Sequence, residues 1–161
     1  MRAVRYWSAS HSGAMEKLYH VVEVLMVKLD PLWRAIGYER MDKPMAVFEK
    51  VVKGFLFDCQ MCGQCALSNT GMSCPMNCPK TLRNGPCGGV RSNGHCEVKA
   101  DMRCVWVEAA RGARQMHAHQ LIELVQLPVD ARLKGRSSWL RAAQQKIEEV
   151  KIHNGGRKNE V

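Results

Sequence analysis

Between Cys59 and Cys104 the chain places all eight of its cysteines, and no other feature restricts its folding as much. Residues 57–107 also hold six glycines (Gly63, Gly71, Gly85, Gly88, Gly89 and Gly94) and three of the six prolines. So many turn formers, with so few Leu and Ile, are not expected to build an ordinary hydrophobic core. Order in this stretch is expected to come from bound metal instead. The flanking segments read as helical. The expectation is a mainly α fold around an irregular Cys-rich metal-binding domain, with a small α+β arrangement as the variant. Three segments follow: an N-terminal helical region over 1–56, the Cys-rich core over 57–107, and a helix and loop extension over 108–161.

In the first segment Leu18, Val21, Val22, Leu25 and Leu29 recur with the 3.6-residue period of one helical face. Ser12 is a candidate N-cap, and Asp30-Pro31 ends that helix. Pro31 opens a short helix through Ile36, closed by Gly37. Pro44 is expected to open a third, with Val47, Val51, Val52 and Phe55 on its packed face, ending near Gly54. In the last segment Trp139, Leu140, Ala143, Ile147 and Val150 form another stripe behind Ser138 as N-cap. The tail from Asn154 is expected to fray. Cys96–Val107 alternates weakly, as a short strand or a helix start would.

Length and charge exclude several classes. A (β/α)₈ barrel needs roughly 200–250 residues, more than the 161 here. The net charge of +9 is spread over the chain, with 9 basic against 6 acidic residues in 1–56, 5 against 3 in 57–107, and 10 against 6 in 108–161. The longest basic run, Arg132-Leu-Lys134-Gly-Arg136, lacks the density and interleaved aromatics of a nucleic-acid stripe. No nucleic-acid partner is expected. No uncharged apolar stretch of about 18 residues is present, and Met1–Gly13 has no apolar signal region. The expected setting is the cytoplasm, without a membrane, where thiols stay reduced. Eight cysteines there point to metal rather than disulfides.

The spacing narrows the metal. Cys59, Cys62 and Cys65 form C-x₂-C-x₂-C, and thiolates three residues apart can reach three iron corners of a cubane. Cys74 and Cys78 each precede a proline, as a ferredoxin cysteine does, though at longer spacing. Cys87, Cys96 and Cys104 complete eight ligands, enough for two [4Fe–4S] clusters. Which four would share a cluster is not fixed by spacing. Zinc is the competing metal, because Cys59-x₂-Cys62-Gly63 also has the shape of a zinc knuckle. The third closely placed thiol, Cys65, favours iron–sulfur. Glycines beside ligands (Gly63, Gly85, Gly88, Gly89) are expected to let backbone N–H groups approach sulfur.

Other residues read as structural. His117 and His119, in Met-His-Ala-His, are expected at the surface, and His95 in a loop. Trp106 and Trp139 suit a core or interface. Glu97, Asp101 and Glu108 make no paired-carboxylate catalyst. No nucleophile elbow, phosphate loop or dinucleotide fingerprint is present.

Taken in order, several strings resemble one family. They are Cys59-Gln-Met-Cys-Gly-Gln-Cys65, Cys74-Pro-Met-Asn-Cys-Pro-Lys80, Leu82-Arg-Asn-Gly-Pro-Cys-Gly-Gly-Val90, Cys96-Glu-Val98, Met102-Arg-Cys-Val-Trp-Val-Glu108 and Leu127–Leu140. Over about residues 57–142 they are similar to the cysteine-rich domain named after the methylenetetrahydrofolate reductase C-terminus, which also occurs as a separate small subunit of the MetV type. The resemblance implies a non-catalytic subunit of an oxidoreductase in folate one-carbon metabolism. It implies a heteromer with a MetF-type flavoprotein and a further electron donor. The flavin is expected in that partner and not in this chain. The implied ligands are Cys59, Cys62, Cys65, Cys74, Cys78, Cys87, Cys96 and Cys104, holding [4Fe–4S] clusters that relay electrons. The alternative is a zinc-stapled assembly module of the same complex.

Overall fold

Gly37 and Pro31 punctuate the N-terminal third as the sequence suggests. In the computed structural model, which describes residues 2–156 and the side chains of 3–152, helices α1 (Arg2–Ser10) and α2 (Ser12–Lys28) precede α3 (Asp30–Ile36) and α4 (Tyr38–Phe57). Pro31 lies in the first turn of α3, and Gly37 closes it at φ 97°. Helices α5 (Val105–Ala113) and α6 (Ser138–Gly156) complete the set among the described residues. The expected mainly α fold is what is found. Of the short strand or helix start expected over Cys96–Val107, the helix start is found, with α5 opening at Val105, and the strand reduces to two isolated antiparallel bridges, Val90–Cys96 and His95–Arg103. The tail expected to fray from Asn154 stays helical through Gly156, and the residues beyond lie outside the described ones. Among the described residues no helix is long and apolar enough to cross a membrane.

Two helices bury a different face from the one their apolar periodicity marks. Of the expected α2 stripe, Leu18, Val21 and Leu25 are exposed while Val22 and Leu29 pack inward, and the inward line is completed by Met15, Tyr19 and Met26. On α4 Val47, Val51 and Phe55 are exposed and only Val52 of the expected face packs inward, while Met45, Ala46, Glu49, Lys53 and Phe57 are buried. Each helix carries more apolar residues than one face holds, and in α4 the buried face includes a Lys–Glu pair that a hydrophobic pattern counts against burial. Pro44 does not open α4. It lies in the interior, seven residues past Gly37, on the exposed side where its ring meets solvent. Position also differs at two caps. Ser12 begins α2 and donates to the Gly112 carbonyl (2.7 Å), and Ser137 rather than Ser138 accepts the Leu140 N–H at the start of α6 (3.3 Å).

The core is four small apolar groups rather than one. Met26, Trp33, Met45, Trp139, Leu140 and Ala143 join α2, α3, α4 and α6. Phe57, Leu67, Met72, Cys74 and Met116 dock the Cys-rich stretch onto α4, with Met15 and Tyr19 of α2 against them. Two more groups surround Met102 with Val105, and Trp106 with Ala109. The middle segment therefore has more apolar packing of its own than its lack of Leu and Ile suggests. Flexible methionines fill the irregular space.

Helix α5 meets the loop at residue 71 backbone to backbone. A Cβ on Gly112 would overlap the Gly71 carbonyl oxygen, and one on Gly71 would overlap the Ala109 carbonyl. Alanine at Gly112 gains about 1 kcal/mol of helix propensity, but overpacking costs about 1–3 kcal/mol. The obstacle is backbone, which cannot swing aside, so Gly112→Ala is expected to lower the denaturant midpoint. Urea unfolding with an unchanged m-value checks this.

Candidate metal centre

The end of α4 sets the first cysteines. Asp58 closes the helix in the left-handed region (φ 54°, ψ 47°), with its N–H on the Gly54 carbonyl and that of Cys59 on the Lys53 carbonyl. The loop then turns twice more through left-handed residues, Met61 and Gly63. At Gly63, φ is 74° and a Cβ would overlap the Leu133 carbonyl. Only glycine suits both demands. The loop is pinned by Gly135 N–H to the Met61 carbonyl (2.8 Å) and by Asp130 N–H to the Gln64 side chain (2.7 Å). Asn77 ties the second cysteine turn back, donating to the Phe57 carbonyl (3.0 Å) and accepting from Gln60 (3.0 Å).

As a result Cys59, Cys62, Cys65 and Cys74 line one small cavity, together with Met61, Leu67, Pro75, Arg83, Glu49 and Ser138. A thiol hydrogen bond links Cys59 and Cys74. The bond from Cys74, opposed by burial and assisted by the Met61 N–H (3.4 Å) and by Lys53, brings the Cys59 thiol down to about 7. The same bond, with burial and the neighbouring Cys59, pushes the Cys74 thiol well up. Cys74 is buried and Cys65 exposed. A more open cavity of about 380 Å³ meets the loop at Cys65, between Tyr19, Arg83, Trp139 and Arg141.

Behind the sulfurs lies a polar network that sequence reasoning missed. Lys53 and Glu49 are each 1% exposed. The Lys53 ammonium donates to Glu49 (2.8 Å), Ser138 (2.8 Å) and Tyr19 (3.0 Å), so its three protons have three acceptors. It also sits over the Trp139 ring, 4.7 Å from the centroid. The Tyr19 hydroxyl in turn donates a hydrogen bond to the Cys65 sulfur (3.0 Å). Glu49 accepts from Ser137 (2.8 Å), Ser138 and the Trp139 N–H (3.3 Å), placing a carboxylate at the N-terminus of α6. Burial acts to lower the Lys53 pKa, but the neighbouring Cys65, Tyr19 and Glu49 more than offset it and raise it. Burial and Cys65 together keep the Tyr19 phenol neutral. Arg83 adds a second cation, with Nη1 3.9 Å from the Cys62 sulfur and Nη2 on the Gln64 carbonyl (2.8 Å). The signals available in sequence were Glu49 and Lys53 four residues apart on α4 and Arg83 inside a cysteine-rich string.

The other four thiols are not gathered in this way. Cys78 and Cys96 pack around Met102 and Val105, and Cys104 belongs to the neighbouring group with Trp106. Cys87 is partly exposed, accepting the Gly89 N–H (3.4 Å). Of the glycines expected to aim N–H groups at sulfur, Gly89 does so, whereas Gly85 instead gives room to the Trp106 ring. Among the described residues no three His, Cys, Asp or Glu side chains stand in a converged coordination sphere, and all eight cysteines are free of disulfides. His117 and His119 are exposed, while Trp106 and Trp139 are buried.

The chemistry of the first donor set fits a thiolate-held metal group. Four sulfurs from two chain segments face one cavity, and Lys53, Arg83, the Tyr19 hydroxyl and the Met61 N–H all compensate negative sulfur.

No curated protein and no solved structure matches the chain. The family described as the C-terminal region of methylene-tetrahydrofolate reductase matches residues 38–132. The matched stretch begins at α4, spans all eight cysteines and α5, and leaves α1–α3 and α6 outside. With more than half of its length inside that match, including both cysteine turns of the cavity and the Lys53–Glu49 pair beneath it, the chain belongs to the methylene-tetrahydrofolate reductase C-terminal family.

Proposed function

We propose that this chain is the iron–sulfur electron-transfer subunit of a methylenetetrahydrofolate reductase complex, relaying electrons to a MetF-type flavoprotein. Family membership associates the chain with that reductase. The observation that carries the finer reading is the meeting of Cys59, Cys62, Cys65 and Cys74 around one cavity. When bound there, a [4Fe–4S] cluster would take up and release single electrons. Those four cysteines would hold it as thiolates. Lys53 and Arg83 offset the charge, and the Tyr19 hydroxyl and Met61 N–H donate to ligand sulfur, which favours the reduced state. The exposed edge at Cys65 leaves one ligand at the protein surface, open to the approach of an electron donor. Cys78, Cys87, Cys96 and Cys104, which are not gathered around one cavity, stay outside this proposal.

The chain lowers no barrier on the folate itself; its work is to hold redox groups near a partner flavin. The test is oxygen-free purification of the chain co-expressed with its flavoprotein. About four iron and four acid-labile sulfide per cluster are expected, with visible absorbance that bleaches on reduction and recovers when the oxidised flavoprotein is added. Colourless protein with stoichiometric zinc and no sulfide would replace this reading with a zinc-stapled assembly module.

A further inference from the structure

We infer that the outer face of α4 is the docking surface for the flavin-bearing reductase subunit, seating an apolar patch rimmed by carboxylates beside Cys59; this rests on the reductase reading above. Val47, Phe48, Val51 and Phe55 are 65%, 57%, 67% and 60% exposed. They recur at i, i+1, i+4 and i+8, so one helix face presents Val47, Val51 and Phe55 to solvent, with Phe48 beside them against the Trp139 ring (centroids 6.1 Å). Single exposed apolar residues are ordinary, but a contiguous patch of this kind marks an interaction site.

The exposed α4 side chains that flank the patch are basic, and Asp58, three residues past Phe55, is paired with Arg5 (3.6 Å). Lys43 and Lys50 flank it and are exposed. The acids of α4 nearest in sequence face elsewhere. Asp42 accepts from Arg136 (3.0 Å) and from the Ser137 N–H (3.0 Å), and Glu49 is buried on Lys53. An occupant with an apolar centre therefore meets a positive rim, which an acidic border on the partner complements.

The face also leads to the candidate centre. Lys43, Ala46, Val47 and Lys50 form one wall of a groove of about 550 Å³, and Cys59, Gln60 and Met61 lie across it. A protein seated on α4 thus covers the loop that carries the first ligand. Electron transfer weakens steeply with distance, so a redox partner gains from docking here, whereas a purely structural partner has no such need.

The test uses the whole chain loaded with iron and the purified flavin-bearing subunit. Val51→Glu and Phe55→Glu change side chains that are mostly exposed and belong to none of the core groups, so folding and iron content are expected to stay as in the wild type. Each is expected to weaken binding of the flavoprotein at least about 10-fold by calorimetry, the loss typical of a central interface residue. Lys43→Glu with Lys50→Glu should slow association and flatten its salt dependence. Reduction of the chain by dithionite should be unchanged in every variant. Unchanged affinity in Val51→Glu and Phe55→Glu overturns the assignment. So does a wild-type dimer, seen by sedimentation, that these substitutions dissolve without affecting flavoprotein binding. A wild-type chain that carries iron and sulfide yet binds no flavoprotein overturns the docking surface and leaves the redox centre standing. A chain without sulfide removes the redox reading at its own step.

Discussion

Replacing Lys53 with methionine is expected to destabilise the folded chain by about 3–5 kcal/mol, the cost of leaving a buried carboxylate without its counter-charge. Methionine keeps the side-chain length but removes all three hydrogen bonds, to Glu49, Ser138 and Tyr19. Glu49 then remains 1% exposed with only Ser137, Ser138 and the Trp139 N–H as donors. For a protein of this size the total stability is of the order of 5–15 kcal/mol, so the loss is a large share. The double variant Glu49→Leu with Lys53→Met should recover part of it, because no charge is left buried. Recovery stays incomplete, since α6 loses the carboxylate at its N-terminus, worth up to about 2 kcal/mol where partly buried. Denaturant unfolding of metal-free protein measures both. If Lys53→Met unfolds within about 1 kcal/mol of the wild type, the pair is not an internal fastening between α4 and α6.

Cys74→Ser is expected to remove one cluster's worth of iron and sulfide, about four of each per chain, and to raise the proteolytic sensitivity of the cysteine loops. A serine hydroxyl is a hard, weakly acidic donor where a soft thiolate is needed. Cys74 lies across the cavity from the C-x₂-C-x₂-C loop, and its group with Phe57, Leu67 and Met72 holds that loop against α4. Anaerobic metal and sulfide analysis reads the loss directly. Far-ultraviolet circular dichroism of metal-free wild type and variant, expected to coincide, separates ligand loss from misfolding. Full iron and sulfide content in Cys74→Ser would remove Cys74 from the ligand set and with it the grouping drawn from the cavity.

Helix identity was legible because helix punctuation is local. Pro31 and Gly37 bound α3 through their own φ preferences, and both long helices of the N-terminal third appear where apolar residues repeat. Which face each helix buries was not legible. Leu18, Val21 and Leu25 form as regular a stripe as Met15, Tyr19, Val22 and Met26, yet the second line packs. The choice depends on what other segments bring. Trp139 and Leu140 from α6 and Met72 from the cysteine-rich stretch offer surfaces that fit one side only. The opening of α4 was missed because Pro44, a strong local signal for a helix start, is overridden by Gly37 seven residues earlier.

The candidate centre divides in the same way. The eight thiols, the close triplet Cys59, Cys62 and Cys65, and the family strings are properties of the chain order alone, because ligand spacing along a loop limits what one metal group can gather. Tertiary structure decided that Cys74 joins the triplet, and that Tyr19, Lys53 and Arg83 stand behind the sulfurs from 46, 12 and 21 residues away in sequence from the thiols they face. Chain order cannot show this, since charge compensation across a cavity acts through space and depends on how α2 and α4 pack against the loop.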